Sequence, residues 1–219
     1  MPDRSRARAL AARFNASGDP TGWFEVLYRE AEAGKSEVPW ADLRPNPHLL
    51  SFWNAHSWNT LAQKALVIGS GLGDDSEQLA SWGFKTTAFD ISETAIRVSR
   101  RRFPNSAVEY VAADLFHPPP CWIASFDFVL ESYTLQVLPA EARRTAMEKI
   151  ASFVCPGGRL LVIARGREPD EPEGQMPWPL TRVELDEFTC FGLEQQRLDD
   201  YVDSEEPEVR RFRALYQRL

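Results

Sequence analysis

With 219 residues, the chain is long enough to bury one well-filled core and short for two. Its 43% hydrophobic content and mixed charges fit an ordinary globular domain, and a net charge of −7 argues against nucleic acid, whose phosphates require a basic face. No apolar run reaches the length of a membrane span, and the basic start, Met1 to Arg13, lacks the apolar stretch of a secretory signal, so a cytoplasmic location is expected.

In chain order, Met1 to Gly18 is rich in Arg and Ala without a strong apolar stripe, which predicts a frayed segment or a loose helix. Asp19-Pro20 then opens a helix carrying Trp23, Phe24, Leu27, Tyr28 and Ala31, and Gly34 closes it. Val38-Pro39-Trp40 reads as a loop. Asn46-Pro47 repeats the cap-and-proline pattern before a helix with Leu49, Leu50, Phe52 and Trp53.

From Lys64 the texture changes. Ala65-Leu66-Val67-Ile68 is a continuous apolar run suited to a strand buried on both faces. Helix follows over about Asp75 to Trp82, strand over Thr86 to Phe89, helix over Ser92 to Arg102, then strands at Val108 to Val111 and Phe126 to Leu130. Pro139 opens a helix whose Ala142, Ala146, Ile150 and Phe153 share a face, and Pro156-Gly157-Gly158 turns into the strand Leu160 to Ile163. After a Pro/Glu-rich loop and a short helix near Val183 to Phe188, the runs Leu193 to Leu198 and Val209 to Tyr216 lack a helical crossover and predict an antiparallel hairpin. The expected fold is α/β: a Rossmann-like, doubly wound, mostly parallel seven-stranded sheet with a C-terminal antiparallel hairpin and an N-terminal helical lid. We read one domain, 1–219, with a cap over 1–63 and a core over 64–219.

Chemistry concentrates after the first strand. Gly69-Ser70-Gly71-Leu72-Gly73 stands between strand and helix, where glycines let backbone turn sharply and approach a ligand. Asp90 ends the second strand, where a carboxylate accepts hydrogen bonds from ribose hydroxyls, and Asp114 follows the third, where an adenine amino group would be read. Each feature alone is an ordinary turn or cap; the ordered set points to a nucleoside cofactor. A dinucleotide loop places its third glycine at position 74, which is Asp74, followed by Asp75. Two carboxylates there repel a pyrophosphate. A cationic ligand without phosphate suits them, and S-adenosylmethionine, with its sulfonium and ammonium, is the expected cofactor, leaving S-adenosylhomocysteine as product.

Lys64 to Arg165, about half the chain, resembles the class I methyltransferase core, and the whole chain is similar to the thiopurine, thiol and halide methyltransferase-like group. That group lacks the acid usual two positions before the first glycine, and Val67 stands there. The resemblance implies a ribose segment in Phe89-Asp90-Ile91-Ser92-Glu93-Thr94-Ala95-Ile96 and an adenine segment in Asp114-Leu115-Phe116. It also implies an aromatic lid of Trp23, Tyr28, Gly34 and Val38-Pro39-Trp40, and a fourth-strand segment through Glu131, Leu135 and Leu138-Pro139. The sequence departs from the group at Ile68 and Ser70, where cysteine or proline is common, and at Glu131-Ser132, where an acidic-basic pair is frequent.

The expected cofactor contacts are therefore Trp40, Gly69, Ser70, Gly71, Gly73, Asp90, Ile91, Asp114, Leu115 and Glu131. Methyl transfer from a sulfonium needs alignment and desolvation more than an acid or base, so no catalytic residue is assigned. Trp23, Phe24 and Tyr28, whose rings would face a cation, and Tyr133 and Trp178, on the carboxyl-end side of the sheet, are the expected pocket residues. Arg165 and Arg167 would pair an anionic substrate, although solvated positions are the simpler expectation. His48, His56 and His117 are expected to make surface or core hydrogen bonds, and His48, near the lid, is the best placed of the three to act as a base. Cys121, Cys155 and Cys190 are odd in number and widely spaced, as reduced thiols are, and no metal site is expected. We expect a monomer or weak homodimer that methylates a small molecule, at a thiol or other soft nucleophile, or at nitrogen or oxygen of an aromatic metabolite. An NAD(P)-dependent oxidoreductase and a non-catalytic nucleoside-binding protein are the readings from other classes.

Overall fold

In the computed structural model, which describes residues 3–55 and 60–219, the apolar runs become strands of one sheet. They are β1 (Lys64–Ile68), β2 (Lys85–Asp90), β3 (Glu109–Ala112), β4 (Phe126–Ser132), β5 (Val154–Arg165), β6 (Leu193–Val202) and β7 (Arg210–Arg218), in the order β3-β2-β1-β4-β5-β7-β6. The first five pair in parallel; β7 runs antiparallel between β5 and β6. The seven-stranded, doubly wound sheet with its terminal hairpin is thus present. Its order reverses at β1, with β2 on one side and β4 on the other. In open α/β sheets, such a switch opens a crevice outside the carboxyl ends of the strands.

Alternation along the central strands supplies two cores. Leu66 and Ile68 of β1 face one layer with Phe89, Val129, Leu160 and Val162, closed by Met147, Ile150 and Phe153 of α6 (Ala140–Phe153) and Phe188 of α7 (Arg182–Cys190). Ala65 and Val67 face the other layer with Ala88, Phe128, Leu130, Leu161 and Ile163. There α3 (Pro47–Asn54), α4 (Asp74–Ser81) and α5 (Glu93–Arg102) contribute Leu49, Phe52, Leu79 and Ile96. Continuous apolar sequence is required because both faces are covered.

Two local expectations change. The N-terminal segment is a regular helix, α1 (Ser5–Ala16), packed on α2 (Gly22–Glu32). Ala7, Leu10 and Ala11 form a buried i, i+3, i+4 stripe against Trp23 and Leu27, and the small alanines allow close approach. The Pro156-Gly157-Gly158 turn lies within β5: Phe126 pairs with Val154 and Phe128 with Arg159, so the turn is an irregularity in the ladder. The Asn46 cap forms as read, its side chain accepting from His48 N at 2.9 Å. No helix among the described residues is long and apolar enough to cross a membrane.

Candidate active site

A cavity of about 750 Å³ lies at the carboxyl ends of β1, β2 and β4. The cap covers it through Phe24 and Tyr28 of α2 and the loop Pro39–Asp42. Glu25 seats this cap on the core: its carboxylate accepts from Ser92 Oγ, Thr94 N and Thr94 Oγ1 at 2.7, 3.1 and 2.8 Å, at the start of α5. Helix α2 therefore lies over the end of β2, beside Asp90.

The glycine loop forms one wall. Gly71 has φ of 55°, and a Cβ there would meet Tyr28 Oη at 3.1 Å. A side chain would be strained and would push against the cap. Gly71 N donates to Asp90 Oδ2 at 2.9 Å and Ser92 N to Asp90 Oδ1 at 2.9 Å. Burial pushes the Asp90 carboxyl up to about 6 against these hydrogen bonds. Asp75, also on the cavity, is raised to about 6 by burial, although Asn46 N donates to its Oδ1 at 2.7 Å. Ser70 Oγ is buried without a hydrogen-bond partner.

Of the expected cofactor contacts, the structure brings Trp40, Gly69, Ser70, Gly71, Asp90, Ile91, Asp114 and Leu115 to this cavity. Asp114 accepts from Phe116 N at 2.9 Å and meets His117 Nδ1 at 2.7 Å. Gly73 and Glu131 lie off the cavity wall. Gly73 is the left-handed N-cap of α4, where a Cβ would strike Tyr110 Oη at 2.5 Å. Glu131 is fully buried and holds the backbone instead: its Oε1 accepts from Thr134 N and Leu135 N at 2.7 and 2.9 Å. Its Oε2 is buried without a partner, and burial pushes the carboxyl up to about 7.

The pocket residues divide in the same way. Phe24, Tyr28 and Tyr133 line the cavity. Trp23 is fully buried in the cap, stacked on Phe24 at 3.9 Å with its indole N–H on Pro20 O. It supports the wall from behind. Trp178 is off the cavity, its ring near the Arg143 guanidinium, while its neighbours Met176 and Pro177 reach the lining. Trp40 Nε1 donates to Tyr28 Oη at 2.9 Å, and the Trp40 ring meets Phe24 and Tyr28 edge-on.

The end formed by β4, β5 and β7 is the part that sequence reasoning least foresaw. Tyr133 has a positive φ of 68°, and the Arg211 guanidinium lies 5.1 Å from its ring centroid. Burial pushes the Tyr133 phenol up to about 12. Arg211 Nε and Nη2 donate to Asp203 Oδ2 and Glu205 Oε1, each at 2.5 Å. Arg165 and Arg167 are less exposed than expected: their side chains are each 17% exposed, and Arg165 lines the cavity. Arg167 is instead tied to the carbonyls of Pro179, Glu168 and Glu171. His48 reaches the cavity, but its Nδ1 meets Tyr201 Oη at 2.8 Å and Nε2 stands 3.6 Å from Asp203 Oδ2. Burial, then nearby Arg211, lowers its pKa. His56 lies outside the described residues. Arg4, Arg44, Asn46, Gln136 and Arg211 also border the cavity. Only Asn46 had a local sequence mark, as a helix cap. Among the described residues no group of His, Cys, Asp and Glu is placed to hold a metal ion.

The loop fits a phosphate-free nucleoside ligand. Asp75, Asp90 and Asp114 border the cavity, and the charge of Asp74 is met by Arg102, so the remaining carboxylates favour a cation over a pyrophosphate. Comparison with known proteins is consistent with that chemistry. Residues 65–158 match a family described as a methyltransferase domain. The chain is 22% identical to thiopurine S-methyltransferase of Vibrio atlanticus over 180 residues, 75% of this chain and 81% of that one. Among solved structures it resembles a protein studied for conversion of a disulfide bond into a thioacetal group during echinomycin biosynthesis. The TM-score is 0.73 at 20% identity, covering 90% of this chain and 91% of the other. It also resembles 1,6-didemethyltoxoflavin-N1-methyltransferase of Burkholderia thailandensis, with TM-score 0.69 at 16% identity over all of this chain and 92% of that one. At these identities, likeness to the solved structures is one of fold. Sheet order gives the chain the Rossmann-like fold of class I methyltransferases, and a methyltransferase domain is matched over residues 65–158, a little under half of its length.

Proposed function

We propose that this protein transfers a methyl group from S-adenosylmethionine to a small-molecule nucleophile, with a thiol or similarly soft acceptor as the leading class. The observation that carries the cofactor assignment is Asp90. Its carboxylate is 5% exposed at the end of β2, braced by Gly71 N and Ser92 N, and borders the cavity. Each oxygen has a further lone pair for a ribose hydroxyl. Asp90 and Ile91 then hold the ribose, Asp114 and Leu115 the adenine, and the backbone of Gly69, Ser70 and Gly71 the amino-acid end. Trp40, Phe24 and Tyr28 supply ring faces and edges around the sulfonium. Gly73, Glu131, Trp23 and Trp178 act behind the wall, by shaping the elements that carry these contacts.

When bound, the cofactor supplies an electrophilic methyl on a positively charged sulfur. The protein's task is then to exclude water, hold the acceptor in line and keep the methyl path short. The cap performs the first function through Tyr28 and Trp40, whose hydrogen bond joins α2 to the loop that follows it on the cavity wall. No base is required for an acceptor already anionic at neutral pH. The relation to thiopurine S-methyltransferase, spanning 81% of that protein, supports sulfur as the acceptor atom. Nitrogen of an aromatic heterocycle is the second reading, supported by the likeness to the toxoflavin-precursor N1-methyltransferase.

Calorimetric titration with S-adenosylhomocysteine and, separately, NADH tests the cofactor assignment. Binding of the first alone is expected; binding of NADH alone overturns it. Product analysis across thiols, halides and heterocyclic amines then tests acceptor class, and methylated thiol is the expected leading product.

A further inference from the structure

Arg165 and Arg211 face each other directly in the antiparallel β5–β7 register, so both side chains leave the same face of the sheet. Like charges so opposed repel. Arg4, from the cap, adds a third positive charge to the same neighbourhood, and burial together with Arg4 and Arg211 lowers the pKa of Arg165. The counter-charge is unevenly shared. Arg211 holds both Asp203 and Glu205 at 2.5 Å, whereas the nearest carboxylate oxygen to Arg165 is Glu205 Oε2 at 3.9 Å. That is well beyond the ~2.7–2.9 Å of a charge-assisted hydrogen bond. Yet the Arg165 side chain is only 17% exposed, and Glu205, on the β6–β7 connection, is 47% exposed.

A largely buried guanidinium facing a cavity with so distant a partner is poised for a better one. The surrounding groups allow it. Gln136 Oε1 is occupied by Arg165 N at 2.8 Å, the Tyr133 ring offers a flat wall, and His48 is held by Tyr201 and Asp203. Asp42 and Arg44 border the same cavity from the loop side. The chain's net charge of −7 opposes long-range attraction of anions, so recognition here works at contact.

We propose that Arg165, with Arg211 beside it, forms a carboxylate clamp in the acceptor subsite, and that the acceptor is an aromatic or similarly flat small molecule bearing a carboxylate that takes the place of Glu205 on Arg165. The assignment of this end to the acceptor rests on the methyl-transfer reading; the clamp itself does not. Its geometry orients the acceptor by its anionic end and leaves the opposite end toward the glycine loop.

Benzoate and benzamide, two flat probes differing in charge, test this by ligand-observed NMR and calorimetry on the full chain. Benzoate is expected to bind about tenfold or more tightly than benzamide. Arg165→Gln is expected to weaken benzoate about tenfold and leave benzamide unchanged, with Arg165→Lys in between. Glu205→Gln is expected to strengthen benzoate, because a competing carboxylate is removed. Absence of benzoate binding, equal binding of the two probes, or undiminished binding to Arg165→Gln overturns the clamp. S-adenosylhomocysteine titrated onto the same proteins reads the cofactor site separately. Its failure to bind wild type overturns the methyl-transfer reading while the benzoate result still decides the clamp, and unchanged affinity in Arg165→Gln verifies that the variant is folded.

Discussion

Arg102 grips Asp74 at two points, Nη1 to Oδ2 at 2.7 Å and Nη2 to Oδ1 at 2.8 Å, while the same Nη1 reaches the Leu72 carbonyl at 2.5 Å. The end of α5 is thereby tied to the glycine loop and the first turn of α4. Asp74 is the residue standing where a dinucleotide loop has glycine, and its charge is largely met by this arginine. The neighbouring Asp75, half-buried and with Asn46 N as its hydrogen-bond donor rather than a cation, is the stronger source of negative potential at the loop.

Arg102→Ala should therefore loosen the loop. We expect a loss of about 1–2 kcal/mol in stability, discounted for partial exposure, together with weaker S-adenosylhomocysteine binding. Arg101→Ala, which removes a surface pairing with Glu32, should change neither. Urea denaturation and calorimetry on the two variants provide the check.

Asp90→Ala should weaken S-adenosylhomocysteine binding by about 1–3 kcal/mol through lost charge-assisted hydrogen bonds. Unchanged affinity in a folded variant would remove Asp90 from the ribose assignment. Because its carboxylate also anchors Gly71 N, the heat of binding and thermal unfolding should be measured together.

Cofactor affinity should depend on pH. Asp90 is raised to about 6 by burial, and only its ionised form accepts hydrogen bonds at both oxygens. Affinity is expected to rise as pH increases through about 6 and then level off. Asp90→Asn should remove most of the rise, leaving a smaller contribution from Asp75. Titrations with S-adenosylhomocysteine across that range measure it directly.

Glu131 should contribute to stability with the opposite slope from a salt-bridged acid. Its folded-state pKa, about 7, lies above its ordinary value of 4.5, so the folded protein holds this proton more tightly than the unfolded chain. Between those values the unfolded chain binds fewer protons, and the Glu131 contribution falls as pH rises. It is fully present below about 4.5 and lost as pH passes through about 7. Glu131→Gln, which keeps a carbonyl for Thr134 N and Leu135 N, should gain stability relative to wild type as pH rises across this window. Parallel denaturation curves that do not diverge with pH would show that Glu131 does not titrate there.

Much of the architecture was legible because local rules and burial agree. Ala65 to Ile68 is apolar at every position since both sheet faces are covered, and Asn46-Pro47 starts a helix because cap and proline act within a few residues. The glycine loop, Asp90 and Asp114 were legible for a related reason: each follows a strand end, and strand ends converge at the switch in sheet order. Helix α1 was harder to read because alanine carries little apolar weight, although Ala7 and Ala11 pack precisely through being small.

Sequence by itself determined the α/β class, the loop that approaches the cavity and the acids at its strand ends, since those depend on residues close together along the chain. Tertiary structure alone decided which side chains meet. Trp23 turned into the cap and Phe24 onto the cavity. Glu131 turned away from the cavity to hold backbone amides, and Arg102 was brought onto Asp74. It also decided that Arg165 of β5 stands beside Arg211 of β7, a pairing set by the antiparallel register of strands separated in sequence by a helix, strand β6 and a hairpin turn. No local periodicity encodes that contact, because charge at a strand end is read as solvent-facing until the neighbouring strand and the cap remove the water.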